Sequence, residues 1–248
     1  MSKNTANPFE VDIEGITKPE LVVFFVIDRS HSMEGVRINS VNLAMRETIP
    51  ILRGIGGSAT VLKIAVLTFS AGAEWMFSQP IKAEEFEWQE IEAEGWTDFG
   101  AACNELCKKM SRNEFMASKV GYKKPVVILI TDGAPTDADV WPDALKRLKE
   151  NKWFKSAIKI AFAVAEADEE ILLDFVGTKE GVFTIENTDT LKRLIRIVAV
   201  TSSEIGKDSV PIDINVSDVE GETLDEAADK MTYQAIHTAI AEDDDDWD

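Results

Sequence analysis

Oxygen-bearing side chains follow two apolar runs of this chain, and their types and spacing suit the binding of a small divalent cation. The apolar run 21–27 ends at Asp28, and Ser30 and Ser32 follow at alternate positions. A second apolar run, much further along the chain, ends just before Thr131 and Asp132. Carboxylates supply negative charge and hydroxyls supply neutral lone pairs. Together they are the hard oxygen ligands that Mg²⁺ and Ca²⁺ take in proteins.

These ligands need two adjacent strands to bring them together. A short, β-branched apolar run predicts a strand buried on both faces, as in a parallel sheet, and we expect such strands at 21–28 and 126–131. Open α/β sheets place their binding sites at the carboxyl ends of the strands, so both aspartates are expected at one edge. The loop 95–100 supplies a further hydroxyl. The predicted metal ligands are Asp28, Ser30, Ser32, Thr97 and Asp132.

The rest of the pattern alternates strands with helices. Further strands are predicted at 64–69, 74–77, 158–164 and 182–185, and helices at 37–53, from the 95–100 loop to Met110, and at 139–150, 168–176 and 189–202. Pro50 is expected to kink or end the first helix. The turn at 70–72 is too short to join parallel strands, so the strand after it should run antiparallel. The prediction is an α/β fold: a doubly wound, mostly parallel central sheet with one antiparallel edge strand.

Length and charge indicate one domain with two extensions. The 248 residues suffice for a large α/β domain at 19–203, with an N-terminal extension at 1–18. The acidic C-terminal extension, 204–248, carries 15 acidic and 2 basic residues of a chain whose net charge is −19. We expect its tip at 243–246 to be disordered. Further elements are predicted in the extensions: strands at 9–13 and 210–216, and a helix at 224–241 that includes His237, for which no partner is predicted.

Composition excludes several classes of function. So large a negative charge argues against nucleic acid and anionic membranes as partners. No apolar run approaches the roughly 20 residues that span a bilayer, and the N-terminus lacks the apolar core of a signal peptide, so we expect a cytoplasmic protein. Cys103 and Cys107 form no disulfide framework, and their spacing favours a buried helix face over half a metal site. The acidic segment 83–92 is predicted to be solvated.

Three segments together resemble the loops of a von Willebrand factor A (vWA) domain. They are 28–33 (DRSHSM), 95–100 (GWTDFG) and 131–137 (TDGAPTD). They match, in order, the DxSxS, T and D pattern of that family's metal-ion-dependent adhesion site (MIDAS), and the resemblance covers residues 19–203. The wording of the first and third segments is most similar to the bacterial tellurite-resistance-associated, TerY-like branch. His31 stands where family members more often have glycine, which leaves the ligand positions intact.

The resemblance implies a metal centre and a function. Asp28, Ser30, Ser32 and Thr97 would coordinate Mg²⁺ directly or through water, with Asp132 as second carboxylate; Mn²⁺ and Ca²⁺ are alternatives. The implied protein is no enzyme and has no catalytic residue. It is a binding module whose ion accepts an acidic side chain from a partner protein within a bacterial stress, phospho-signalling or defence complex. The branch implies a kinase, a PP2C-type phosphatase, or both, as partners.

Two other functions stay open on the sequence. A strand ending in aspartate and a later TDG also resemble phosphatases of the haloacid-dehalogenase type, which use magnesium. Those enzymes need a second carboxylate two residues on, where this chain has Ser30, and a lysine near the phosphate. Lys123 and Lys124 precede their strand, at its wrong end. The third hypothesis is a scaffold that binds through its acidic tail.

Residues around the predicted site have expected roles of their own. Asp98 is expected to cap the following helix, and Asp137 to support the loops without binding the ion directly. His31 is expected at the rim of the site. Trp96 and Trp141 would either pack the loops or anchor a partner.

Overall fold

A computed structural model describes residues 18–55, 60–118, 122–165, 167–185, 187–204, 230, 232–238 and 240–241. Its strands are β1 (Glu20–Asp28), β2 (Val61–Ser70), β3 (Gly72–Trp75), β4 (Ile81–Lys82), β5 (Val126–Thr131), β6 (Ile158–Val164) and β7 (Val182–Ile185). Its helices are α1 (Val36–Ile55), α2 (Phe99–Lys109), α3 (Trp141–Glu150), α4 (Lys152–Ser156), α5 (Glu169–Val176), α6 (Thr188–Glu204) and α7 (the described residues of 230–241). The strands predicted at 9–13 and 210–216 and the acidic tip lie outside the described residues.

The described strands form a single mixed sheet in the order β3-β2-β1-β5-β6-β7. From β2 to β7 every neighbouring pair is parallel. β3 runs antiparallel along the end of β2, and β4 pairs antiparallel with its beginning. The predicted α/β fold with a mostly parallel sheet and an antiparallel edge is therefore confirmed. The second piece of that edge was not predicted, because a two-residue strand shows no alternation of apolar residues.

The central strand β1 is buried on both faces, and this positions the end of the strand. Val23, Phe25 and Ile27 pack on the face covered by α1 and α6. Val22 and Phe24 pack on the opposite face, against α2, α3 and α5. Because helices cover both faces, the side chains from Leu21 to Ile27 must be apolar whichever way they point. The next charged side chain, Asp28, comes at the carboxyl end of the strand.

Pro50 does not end the first helix. α1 continues to Ile55, and Pro50 lies on its exposed side. Water can bond there to the backbone carbonyl that a proline, which lacks an N–H, leaves unpaired. Of the two effects expected of Pro50, the early end of the helix is wrong, and the kink stays a prediction.

The acidic segment 83–92 is not simply solvated. Phe86 is completely buried and Ile91 is nearly so. Asn42 of α1 holds the segment: its Nδ2 donates to the Ile91 carbonyl at 2.8 Å, and its Oδ1 accepts from the Ile91 N–H at 3.0 Å and from Trp88 Nε1 at 3.1 Å. The sequence does not reveal these buried residues, because Phe86, Trp88 and Ile91 follow no regular period and stand among glutamates.

The predicted C-terminal helix is present in its described part, as α7, and it packs beside β7. Ile236 is completely buried and Tyr233 nearly so. The Tyr233 hydroxyl donates to the Lys159 carbonyl at 2.9 Å and accepts from the Lys159 N–H at 3.3 Å. His237, for which no partner was predicted, lies with Nε2 2.9 Å from the Glu180 carbonyl oxygen and stacks near Phe183. β7 pairs with β6 only from Ala161 onwards. At Lys159 the tyrosine hydroxyl therefore makes the backbone hydrogen bonds that a neighbouring strand would otherwise make.

Removing this hydroxyl tests how firmly α7 is attached. We expect Tyr233→Phe to lower the free energy of unfolding by about 1–2 kcal/mol, because the Lys159 N–H and carbonyl each lose the hydrogen bond to this hydroxyl. Urea denaturation followed by circular dichroism measures the change. The exposed neighbour Gln234 provides a control, since Gln234→Ala should stay within about 0.5 kcal/mol of the wild type. Equal stability of Tyr233→Phe and wild type would contradict the assignment.

Candidate metal centre

Two buried carboxylates meet where β1 and β5 end side by side. Asp28 is fully buried, and the side chain of Asp132 has no exposed surface. Asp28 accepts hydrogen bonds from the Ser30 N–H at 2.8 Å and the Thr131 hydroxyl at 2.6 Å. Asp132 Oδ1 accepts from the Ser32 hydroxyl at 2.7 Å, and the hydroxyl oxygens of Ser30 and Ser32 lie 3.0 Å apart. Four of the five predicted ligands thus form one hydrogen-bonded group.

Thr97 reaches the same edge of the sheet on a separate loop. The Gly95 carbonyl accepts from the His31 N–H at 3.0 Å, which joins this loop to the first. Thr97 is buried, and its backbone pairs with Thr136: its N–H donates to the Thr136 hydroxyl, and its carbonyl accepts from the Thr136 N–H, both at 3.0 Å. Within the described part of the chain, the Thr97 hydroxyl donates no hydrogen bond, so its oxygen is not committed to the other four side chains.

Burial makes the negative charge of this group costly. Burial raises the pKa of Asp28, and the nearby Asp132 carboxylate raises it further, against the hydrogen bonds from Thr131 and Ser30, which lower it. A carboxylate with a raised pKa gains from any cation that can approach it. The site therefore favours a positively charged group at this position.

Arg37, in the first turn of α1, was not among the predicted site residues. Its Nη1 forms an ion pair with Asp132 Oδ2 and donates to the Ser32 carbonyl at 2.9 Å. The Arg37 side chain is 42% exposed, whereas that of Asp132 is 0% exposed. The sequence places this cation just after the 28–33 loop but does not reveal its partner, because Asp132 lies 95 residues further along the chain.

Two other aspartates support the loops in a way that differs from the prediction. Asp98 precedes α2 but its side chain makes no capping hydrogen bond. Its Oδ2 accepts instead from the N–H of Gly72, the first residue of β3 after the tight turn, at 2.9 Å. The missing acceptor comes from Asp137, whose Oδ2 bonds the Gly100 N–H in the first turn of α2 at 2.8 Å. The prediction that Asp98 caps the helix is wrong, because the tight turn beside it provides a donor of its own. Asp137 supports the second loop, as expected.

The rim of the site contains one exposed aromatic residue. Trp96 is 72% exposed, so it does not pack the loops, whereas Trp141 packs against Phe99 with ring centroids 6.3 Å apart. His31 lies at the rim with its side chain 77% exposed, as predicted. Of the two cysteines predicted on a buried helix face, Cys103 is buried on α2, whereas Cys107 is only partly buried.

The donor set fits a hard divalent cation. In the described ranges, no three His, Cys, Asp or Glu side chains converge in an arrangement that could hold a metal. The candidate centre is of another kind, with two carboxylates and the remaining oxygens from hydroxyls. Such all-oxygen sets suit Mg²⁺, Mn²⁺ or Ca²⁺, and the two buried carboxylates supply the charge that such an ion needs.

The fold and this edge define a class: α/β domains whose doubly wound sheet carries a loop-built, oxygen-lined site at the carboxyl ends of its strands. The model of the von Willebrand factor type A domain family matches residues 23–197. The chain therefore belongs to the vWA domain family.

Solved structures share the fold at low sequence identity. A von Willebrand factor type A protein from Catenulispora acidiphila is 18% identical, with a TM-score of 0.54, and the match covers 75% of this chain and 43% of that one. Proximal thread matrix protein 1 from the mussel byssus, with a zinc-occupied MIDAS motif, is 19% identical, with a TM-score of 0.54 and coverages of 75% and 46%. The pilus adhesin SpaC from Lactobacillus rhamnosus GG, in an open conformation, is 14% identical, with a TM-score of 0.60 and coverages of 76% and 30%.

The match therefore spans less than half the length of these three proteins. Among curated proteins no match was found. Of the helices in the described part of the chain, none has the length and apolar character needed to cross a membrane.

Proposed function

We propose that this protein is a non-enzymatic, metal-dependent protein-binding module. Asp28, Ser30, Ser32, Thr97 and Asp132 would hold Mg²⁺, directly or through water, with Mn²⁺ and Ca²⁺ as alternatives. The observation that carries the proposal is the pair of buried carboxylates joined through Ser30 and Ser32. Asp28 accepts from the Ser30 N–H, Asp132 accepts from the Ser32 hydroxyl, and the two serine hydroxyls lie 3.0 Å apart. When bound, the ion would supply a Lewis-acidic position for a carboxylate of a partner protein.

The residues of the chain have distinct parts in this function. The buried strand ends hold the two aspartates, and the hydrogen bonds among the loops orient the serine hydroxyls. Three neutral hydroxyl ligands add lone pairs without adding charge, so the ion would keep part of its positive charge for an acidic guest. The exposed Trp96 indole at the rim is available to pack against the same partner.

Two relatives support this proposal by what their names state. The mussel byssus protein has zinc in its MIDAS motif, and the Lactobacillus protein is an adhesin. For this chain we propose a cytoplasmic bacterial complex in stress response, phospho-signalling or defence, with a kinase, a PP2C-type phosphatase or both as partners. The support for that context is the TerY-like wording of the loops 28–33 and 131–137.

Metal removal is the direct test. We expect the protein to capture its partners in MgCl₂ and to lose them in excess EDTA, as judged by affinity capture and mass spectrometry. Asp132→Asn should weaken Mg²⁺ binding by about 10–100-fold or more, since even outer-shell changes at metal sites cost that much. Arg46→Gln is the matched control, because the exposed Arg46–Glu90 pair lies further along α1, away from the site.

Each alternative function has its own outcome in this experiment. Capture that persists undiminished in EDTA would refute the proposal. If that capture were then lost on deletion of residues 242–248, a change that leaves the buried residues of α7 in place, the acidic tail would be the binding element. Hydrolysis of an aryl phosphate that Asp28→Asn abolishes would instead identify a phosphatase.

A further inference from the structure

Both oxygens of Asp132 are already engaged within the chain. Oδ1 accepts from the Ser32 hydroxyl, and Oδ2 is paired with the Arg37 guanidinium. The same Arg37 Nη1 also bonds the Ser32 carbonyl at 2.9 Å, so the arginine is held on the loop that carries two of the candidate ligands. The Arg37 side chain is partly exposed at the rim, whereas the Asp132 carboxylate that it neutralises is fully buried.

We propose that Arg37 is an internal cation that competes with the divalent ion for the Asp132 carboxylate and thereby sets the affinity of the centre for metal. This inference rests on the metal centre proposed above. In the absence of metal, the guanidinium neutralises Asp132. When an ion binds, the arginine must release the carboxylate or share it.

Two physical effects act in the same direction. A buried carboxylate without a partner destabilises the folded protein, so Arg37 stabilises the metal-free state. A guanidinium beside a divalent cation repels it, so Arg37 destabilises the metal-bound state. Removing the side chain should therefore tighten metal binding while weakening the metal-free fold.

Arg37→Gln tests this directly on the full chain after metal has been stripped with EDTA and the chelator removed. The probe is Mn²⁺ alone, with its dissociation constant measured by electron paramagnetic resonance and checked with Mg²⁺ by calorimetry. We expect Arg37→Gln to bind Mn²⁺ about tenfold more tightly than the wild type, a change that corresponds to about 1.4 kcal/mol. Its metal-free Tm should be lower, and the rise in Tm on adding Mn²⁺ should be larger than for the wild type.

Two further variants complete the experiment. Arg37→Lys keeps the charge but lacks the planar fork that matches a carboxylate, so it should tighten Mn²⁺ binding by a smaller factor and should fold where Arg37→Gln does not. Arg46→Gln removes an arginine from the same helix at an exposed ion pair and should leave the Mn²⁺ affinity unchanged.

The outcomes separate this inference from the function on which it rests. If the wild type binds Mn²⁺ and neither Arg37 variant binds it more tightly, the competition is refuted and the metal centre stands. If only the Arg37 variants bind measurably, the competition is supported in its strongest form. If no form of the protein binds Mn²⁺ or Mg²⁺, the metal centre and the competition both fall.

Discussion

Asp28→Asn is expected to abolish metal binding and to leave the metal-free protein at least as stable as the wild type. Asparagine has the shape of aspartate, so Oδ1 can still accept from the Ser30 N–H. Its Nδ2 would donate to the Thr131 hydroxyl, which donates to Asp28 in the wild type. The substitution therefore removes the buried negative charge that a cation needs while keeping the local hydrogen bonds.

The expected gain in stability follows from the pKa of Asp28. Burial raises this pKa above the ordinary value of 3.8, so the folded protein binds the proton more tightly than the unfolded chain does. The associated stability is fully present below the ordinary value and is lost as the pH rises through the raised pKa. For each tenfold strengthening of proton binding by the folded protein, the free energy of unfolding at neutral pH is lower by about 1.4 kcal/mol. An asparagine side chain does not titrate, so the Asp28→Asn variant should avoid this loss.

Urea denaturation at neutral and acidic pH in EDTA, together with Mn²⁺ titration, measures both effects. The stability of the wild type relative to Asp28→Asn should improve as the pH falls, while its Mn²⁺ affinity should weaken over the same range. The exposed Asp139 provides a control, since Asp139→Asn should change neither quantity. If Asp28→Asn binds Mn²⁺ as tightly as the wild type, Asp28 is not a ligand of the metal.

Gly181→Ala is expected to destabilise the β7 side of the domain by about 1–3 kcal/mol, the usual cost of overpacking. A Cβ atom here would lie 2.5 Å from Val176 Cγ1, 2.7 Å from the Lys159 carbonyl oxygen and 3.1 Å from Tyr233 Cε1. The clash with the backbone of β6 cannot be relieved by turning a side chain. The Lys159 backbone must therefore shift, and the side chains of Val176 and Tyr233 must move as well.

A second glycine separates this clash from the general effect of adding a methyl group. Gly54 lies in α1, and a Cβ there would have nothing within 4 Å. Gly54→Ala should therefore stabilise the protein, by up to about 1 kcal/mol, because alanine restricts the unfolded chain and favours the helix. Thermal unfolding of both variants should give Tm changes of opposite sign. Equal changes would show that the neighbours of Gly181 move aside at little cost in stability.

Much of the fold could be predicted because burial leaves a pattern in the chain. Strands covered on both faces are continuously apolar, so the inner strands and the carboxylates at their ends were visible without coordinates. The α-helices longer than five residues were predicted to within a few residues for the same reason. β4, with two residues, and α4, with five, are too short to show a repeating pattern. In the segment 83–92, the surrounding glutamates concealed Phe86 and Ile91.

The sequence alone specified the sheet, its polar edge and the set of candidate ligands. Each of these depends on local runs of side chains and on the direction of parallel strands. Three contacts could be known only from the packed molecule: Arg37 on Asp132, Asp137 at the start of α2, and Tyr233 on the backbone of β6. Each joins elements far apart in sequence, where no period relates the two partners. Their physical cause is the need of buried charges and unpaired backbone groups for the nearest available partner, and distance in space alone determines which partner that is.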